Sequence, residues 1–191
     1  MIWLRFLAWL VCGVYATIPA FWLVIHPFAE HWRNARNRYS VLAPMWMAMW
    51  FVAWWATAQW SQRTLYEHSW TWAITLTLFY VSWQMYSGGV RGLSLDLLIG
   101  RHELEPDDHE QALVVTGVHG LVRHPVYLGH LCSMLGWSIG AGTVACFVLT
   151  AFAIVTGAVM IPLEERELRQ RFGDEYDRYS SQVPMIIPTR L

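Results

Sequence analysis

The sequence predicts an all-α integral membrane protein of about five transmembrane helices. The fourth and fifth form a helical hairpin, and a cytoplasmic amphipathic helix follows at the C-terminus. Three observations predict this class. Apolar runs close to the about 20 residues that cross a bilayer alternate with short charged runs. Of the 191 residues, 55% are hydrophobic and only 14% charged, against about 25% charged in a soluble domain. All thirteen basic residues are Arg, and they cluster between particular runs, as loops on one side of a membrane do.

The first run covers 2–25. Its segment from Phe6 to Val24 has no small-x-small cleavage pattern, so it reads as a retained span and not a removed leader. The second and third runs cover 41–60 and 69–86. The fourth, about 125–139, starts at Pro125, which suits the first turn of a helix. The turn Gly140-Ala141-Gly142 closes it. It is short for a full span, so it is expected to form a tight hairpin with the fifth run, 143–162. Pro162 is expected to kink the chain as it leaves the bilayer. Leu163, Leu168, Phe172, Tyr176 and Tyr179 then recur at near-helical spacing, the pattern of an amphipathic helix, with a break at Gly173. No repeat or low-complexity linker divides the chain. Residues 1–191 therefore read as one domain: three Trp-rich spans in 1–86, then a loop, the hairpin and the C-terminal helix in 87–191.

Five spans place Arg33, Arg36, Arg38, Arg91, Arg101, Arg123, Arg166, Arg169, Arg171, Arg178 and Arg190 on one side. Only Arg5 and Arg63 fall on the other. The positive-inside rule then puts the N-terminus outside, and the 87–124 loop and C-terminal tail in the cytoplasm.

The same composition excludes other classes. A net charge of −1 gives no general pull toward nucleic acid. Cys12, Cys132 and Cys146 are an odd number of thiols inside apolar runs, which reads as small buried side chains and not a disulfide framework. Trp60 and Trp70 flank the outer loop as interfacial anchors. Trp46, Trp50 and Trp54 form an i, i+4, i+8 stripe, read as packing or lipid contact ahead of a substrate groove. Gly136 and Gly140 are a small-xxx-small pair, which lets two helices approach closely.

Three polar segments carry chemistry. In Thr116-Gly117-Val118-His119-Gly120-Leu121-Val122-Arg123-His124-Pro125-Val126-Tyr127-Leu128-Gly129, Pro125 forces His124 toward extended backbone. Arg123 and His124 thus sit at the mouth of the fourth span, with Tyr127 on its first turn. A permanently charged five-donor group there needs an anion, a carboxylate or phosphate, unless it snorkels to lipid phosphate. In Ile161-Pro162-Leu163-Glu164-Glu165-Arg166-Glu167-Leu168-Arg169-Gln170-Arg171-Phe172-Gly173, Glu165 meets Arg169 and Glu167 meets Arg171 at i, i+4. Glu164 has no such local cation, so an unpartnered acid at the membrane boundary is a site candidate. The third segment, 101–110, holds His102, His109 and five acids, but no compact metal-ligand spacing. It reads as a solvated loop, and no metal is expected.

Leu113-Val114-Val115-Thr116-Gly117 with Val122 to Gly129, then Pro162-Leu163-Glu164-Glu165, Phe172-Gly173-Asp174-Glu175-Tyr176, Tyr179, Val183-Pro184 and Pro188, resemble the isoprenylcysteine carboxyl methyltransferase and phospholipid methyltransferase superfamily. The resemblance covers about 111–190; residues 1–110 match only in being transmembrane. It implies a membrane enzyme that uses S-adenosyl-L-methionine, held between the last spans and the C-terminal helix. It implies catalytic roles for Arg123 and Glu164. Cofactor binding is implied for Val114, Val115, Gly117, His119, Arg123, His124, Tyr127, Glu164 and Glu165, with Arg123 and His124 anchoring a carboxylate. The acceptor implied is a lipophilic small molecule or lipid, a prenylcysteine-type carboxylate or a lipid amine, with membrane lipids as surroundings and no nucleic-acid or protein partner. The location implied is a multi-pass protein of a bacterial inner membrane with its site facing the cytoplasm. Val118-His119 stands where many members carry Pro-Tyr, which leaves the acceptor open.

Two other readings share part of the pattern. Membrane steroid-type reductases, which use NADPH, also resemble Arg-His-Pro-x-Tyr, but usually place Asn before the Tyr and an acid soon after the Gly. Here those positions are Val126 and His130. A non-enzymatic lipid-binding subunit would explain the Trp-rich spans and leave both charged motifs without a purpose.

Overall fold

The computed structural model describes residues 1–89 and 112–189. The 101–110 segment, Arg91 and Arg190 lie outside them. The described helices are α1 (Ile2–Ile25), α2 (Ala29–Asn34), α3 (Arg38–Thr57), α4 (Thr71–Gly89), α5 (Pro125–Ala141), α6 (Val144–Phe172) and α7 (Asp174–Gln182). Each apolar run of the sequence has become a helix.

Three stretches are long and apolar enough to cross a membrane by length and composition: Ile2–Asn34, Arg38–Trp60 and Val144–Phe172. The other two runs, now α4 and α5, are not among them. α5 is covered by the other helices, so it need not be strongly apolar. It buries Gly129, His130, Ser133, Gly136, Ser138 and Gly140 between α4, α1 and α6. At about 1.5 Å per residue α4 and α5 are about 28 and 26 Å long. The outward side of α4 shows Leu76, Tyr80 and Trp83.

Small residues set the α4–α5 approach. A Cβ on Gly136 would meet the Phe79 ring at 2.8 Å, and one on Gly140 would meet Thr75 Oγ1 at 2.6 Å. The close approach lets Thr75 Oγ1 donate to the Gly136 carbonyl at 2.9 Å. Gly142 (φ +63°) then ends α5 in the left-handed conformation that glycine adopts without strain. The hairpin expected between the fourth and fifth runs is present, because α6 starts two residues later.

α1 packs against α3 and α6. The Trp stripe of α3 contributes: Trp46 Nε1 donates to Thr17 Oγ1 at 3.0 Å, and Trp54 Nε1 donates to the Leu10 carbonyl at 3.2 Å. Pro19, inside α1, has no N–H, so the carbonyl four residues earlier, on Tyr15, loses its helical donor. His130 of α5 fills the gap, with Nε2 at 2.9 Å from that carbonyl. Its Nδ1 is 3.0 Å from the Tyr86 hydroxyl, and its ring stacks on Tyr15 at 4.5 Å. One imidazole thus ties α1, α4 and α5 together. The three cysteines are buried and free.

The contacts sort the connections into two ends. At one end Arg5 pairs with Glu67 at 2.9 Å, the Leu65 N–H donates to the Gly142 carbonyl, and the Val144 N–H donates to the Arg63 carbonyl. At the other, His26 pairs with Glu167 at 2.9 Å, and the residues around Arg123 meet the end of α6. One sequence expectation changes here, and the break expected at Gly173 is present. α6 runs unbroken through Pro162 to Phe172, so no separate helix begins at Leu163. The break comes at Gly173 (φ +52°), and the short α7 turns back toward the loop before α5.

Candidate functional site

The loop, α6 and α7 meet at the arginine-rich end. Pro125 occupies the first turn of α5 and holds His124 at φ −118°, ψ 66°, outside the helical region, as the residue before a proline must be. Arg123 and His124 consequently point away from the helix, toward Glu164 and Glu165 on α6. Both acids lie beyond Pro162, past the apolar part of that helix.

Arg123 and Glu165 form the centre, each side chain about 10% exposed. Arg123 Nε donates to Glu165 Oε1 at 2.7 Å, and Nη2 lies 2.7 Å from the same oxygen. His124 Nε2 is 3.2 Å from it. The His124 Nδ1 edge lies 3.8 Å from Glu164 Oε2, so one imidazole stands between two neighbouring carboxylates. Tyr127 stacks on that imidazole with ring centroids 5.5 Å apart. Glu164 Oε2 is buried and has no hydrogen-bond partner. A bare carboxylate oxygen in such a place is costly unless a donor or cation meets it.

Arg123 Nη1 goes to the main chain. Nη1 donates to the carbonyls of Ser180, at 2.9 Å, and Val183. The backbone N–H groups of Arg123 and His124 donate to Pro184 and Met185 at 2.9 and 3.1 Å. The Tyr179 hydroxyl donates to the His119 carbonyl at 2.7 Å. Burial pushes that phenol up to about 12. The Tyr176 phenol is also pushed up, first by burial and then by the Glu165 charge. Tyr176 is 1% exposed, and its hydroxyl has no hydrogen-bond partner.

The structure brings Arg123, His124, Tyr127, Glu164 and Glu165 together. His119 reaches the group through its carbonyl, and its Nε2 is 3.3 Å from the Gly89 carbonyl. Val114 is half-buried, while Val115 and Gly117 are exposed on the irregular chain that leads into the 117–120 turn. Of the helical pairs expected on α6, the one between Glu165 and Arg169 is replaced. Glu165 takes Arg123 and not Arg169, which instead donates to Asp177 Oδ1 at 2.7 Å. Glu167 takes His26. Local spacing cannot compete with a buried guanidinium brought from another segment. The backbone carbonyls of 180–185 were invisible to sequence reasoning because they carry no side-chain signature. Tyr176 and Tyr179 showed only their helical spacing. Among the described residues no group of His, Cys, Asp and Glu is arranged to hold a metal ion.

A helical bundle with apolar outer faces and a charged, buried site at its arginine-rich end defines the class. The chain belongs to the phospholipid methyltransferase family, whose model matches residues 71–175. It is 36% identical over 91 residues to protein-S-isoprenylcysteine O-methyltransferase B of Arabidopsis thaliana, covering 45% of this chain and 44% of the relative. It is 38% identical over 73 residues to methanethiol S-methyltransferase 1 of Bradyrhizobium diazoefficiens, covering 38% of this chain and 25% of that one. A methanethiol S-methyltransferase of a Pseudomonas strain is 27% identical over 171 residues, 81% of this chain and 60% of the relative. The chain therefore spans less than half the length of the first two relatives that it matches. No solved structure matches.

Proposed function

We propose that this chain is a membrane methyltransferase that moves a methyl group from S-adenosyl-L-methionine to a lipophilic acceptor at its arginine-rich end. The observation that carries the reading is Glu164: a buried carboxylate oxygen without a hydrogen-bond partner, beside His124 and next to an acid that is paired with Arg123. That donor set fits a cofactor bearing a sulfonium, an ammonium and sugar hydroxyls. Glu164 and His124, with the backbone of 114–117, would hold it. When bound, the cofactor supplies an electrophilic methyl group. The chain's task is then positioning and exclusion of water, which supply much of the rate of an in-line displacement.

Glu165 stays ionised because two Arg123 donors and the His124 ring surround one of its oxygens. Arg123 balances that charge, which leaves Glu164 as the acid that faces a positive ligand. A carboxylate acceptor needs no base. An amine or thiol acceptor must lose a proton, and Glu164 or His119 would then serve as the base. A prenylcysteine-type carboxylate is the acceptor favoured here, with a lipid amine or a thiol as the other choices.

Five spans in one domain of 1–191 are proposed with this reading, α4 and α5 included, with the N-terminus outside and the site facing the cytoplasm of a bacterial inner membrane. Ten Arg fall in the described residues. Arg33, Arg36, Arg38, Arg123, Arg166, Arg169, Arg171 and Arg178 lie at the site end; Arg5 and Arg63 lie at the other. The test is mass spectrometry of a membrane extract incubated with purified protein and a cofactor carrying a deuterated methyl group. An apolar acid, amine or thiol that gains the labelled methyl supports the reading. An extract with no labelled product, tested across acids, amines and thiols, overturns it.

A further inference from the structure

A carboxylate ligand is gripped by an arginine through two parallel N–H bonds from one edge of the fork. Arg123 has no such edge left. Its Nε–Nη2 edge is spent on Glu165 Oε1, at 2.7 Å from both nitrogens. Both Nη1 hydrogens go to the carbonyls of Ser180 and Val183. The next two carbonyls along the chain, of Pro184 and Met185, take the backbone N–H groups of Arg123 and His124. The Tyr179 hydroxyl adds a bond to the His119 carbonyl. Residues 179–185 are thereby laid along 119–124, immediately beside the ring that meets Glu164.

We propose that Arg123 is a positioning residue: its guanidinium straps the 179–185 segment against the site, so that the strap forms one wall, and it does not anchor a ligand carboxylate. The proposal rests on the cofactor reading above. It assigns the charge of Arg123 two tasks. One is to keep Glu165 ionised. The other is to gather carbonyls that no neutral side chain could hold together, since only a planar fork offers donors in those directions. Arg123 then acts on the ligand through the strap and Glu165.

Two nucleosides separate the roles. S-adenosylhomocysteine carries the amino-acid carboxylate; 5′-methylthioadenosine keeps the adenosine and sulfur and lacks it. Calorimetry in detergent measures both against the parent, Arg123→Lys, Arg123→Ala and a chain ending at Gln182. A strap role is expected to weaken both ligands in Arg123→Lys by a similar factor, tenfold or more. The shortened chain should lose as much, and adding Arg123→Lys to it should cost less than a further twofold. Loss confined to S-adenosylhomocysteine, with methylthioadenosine unchanged, would overturn the strap and make Arg123 a carboxylate anchor. Arg123→Lys keeps the charge and guards against a failure of Arg123→Ala to fold.

Amide hydrogen exchange gives a readout independent of any ligand. In Arg123→Lys, exchange should quicken at residues 119–124 and in α7 while the α4–α5 pair exchanges as in the parent. Unchanged exchange at 119–124 would contradict the strap. A parent that binds neither nucleoside would sink the cofactor reading, and the exchange measurement would still decide the strap.

Discussion

Glu164 and Glu165 are adjacent, yet their replacement should damage different properties. Glu165 is paired with Arg123 at 2.7 Å, both side chains being about 10% exposed, and it also meets His124. Truncating it to Ala leaves a desolvated guanidinium facing no anion. Breaking a buried pair by removing one partner costs about 3–5 kcal/mol. For a chain of this size each kcal/mol moves the melting temperature by about 2–4 °C, so Glu165→Ala should melt about 6–20 °C below the parent. Glu164 has no hydrogen bond to lose at Oε2, only a long approach to His124 at 3.8 Å, so Glu164→Gln should melt within about 2 °C of the parent. Its cost falls on methyl transfer. Losing one charge-assisted contact removes about 1.5–3 kcal/mol, a fall of about tenfold to a hundredfold in turnover per cofactor bound. Melting in detergent is measured beside initial rates. A Glu165→Ala protein that melts like the parent would refute the pair's role as a strut. A Glu164→Gln protein that keeps full rate would remove Glu164 from the site.

Three further outcomes are expected. Gly140→Val should lower the melting temperature by several degrees, because the new side chain strikes Thr75 and the Trp72 ring at a cost of about 1–3 kcal/mol; Gly157→Ala, whose Cβ would meet nothing nearer than Pro19 at 4.0 Å, is the control that should melt like the parent. His130→Leu should destabilise by about 1–3 kcal/mol, since it strips the Tyr15 carbonyl and Tyr86 hydroxyl of their partner; Pro19→Ala, which restores a helical N–H to that carbonyl, should recover part of the loss in thermal melts of the double variant. Reporter fusions should place the C-terminus in the cytoplasm and the N-terminus outside, and an external C-terminus would put the site out of reach of cytosolic cofactor.

The long helices were legible because apolar length is a strong local signal: 2–25 became Ile2–Ile25, and 69–86 became Thr71–Gly89. What failed was local reasoning about charge. An i, i+4 acid–base pair on an exposed helix is worth only a few tenths of a kcal/mol, so Glu165 and Arg169 separated as soon as Arg123 and Asp177 offered better partners. Pro162 suggested a new helix from Leu163, but a single missing N–H did not end a helix packed against α1 and α5. His130 passed unremarked as a site for helix pairing, because its role depends on a proline more than a hundred residues away in another helix. The group around Arg123, His124 and the two acids was legible as a set of unusual residues. Its wiring through the carbonyls of 180–185 was not, since main-chain acceptors look alike in every sequence.

The central claim is that this bundle's charged end holds an S-adenosyl cofactor. Thermal stabilisation of the purified protein tests it most directly. A ligand at a hundredfold its dissociation constant stabilises by about 2.7 kcal/mol, a rise of about 5–11 °C in melting temperature for a chain of this size. S-adenosylhomocysteine is expected to produce that rise in the parent and a much smaller one in Glu164→Gln, while NADPH leaves both unchanged. A rise with NADPH and none with S-adenosylhomocysteine would contradict the account and make the site one for a nicotinamide cofactor.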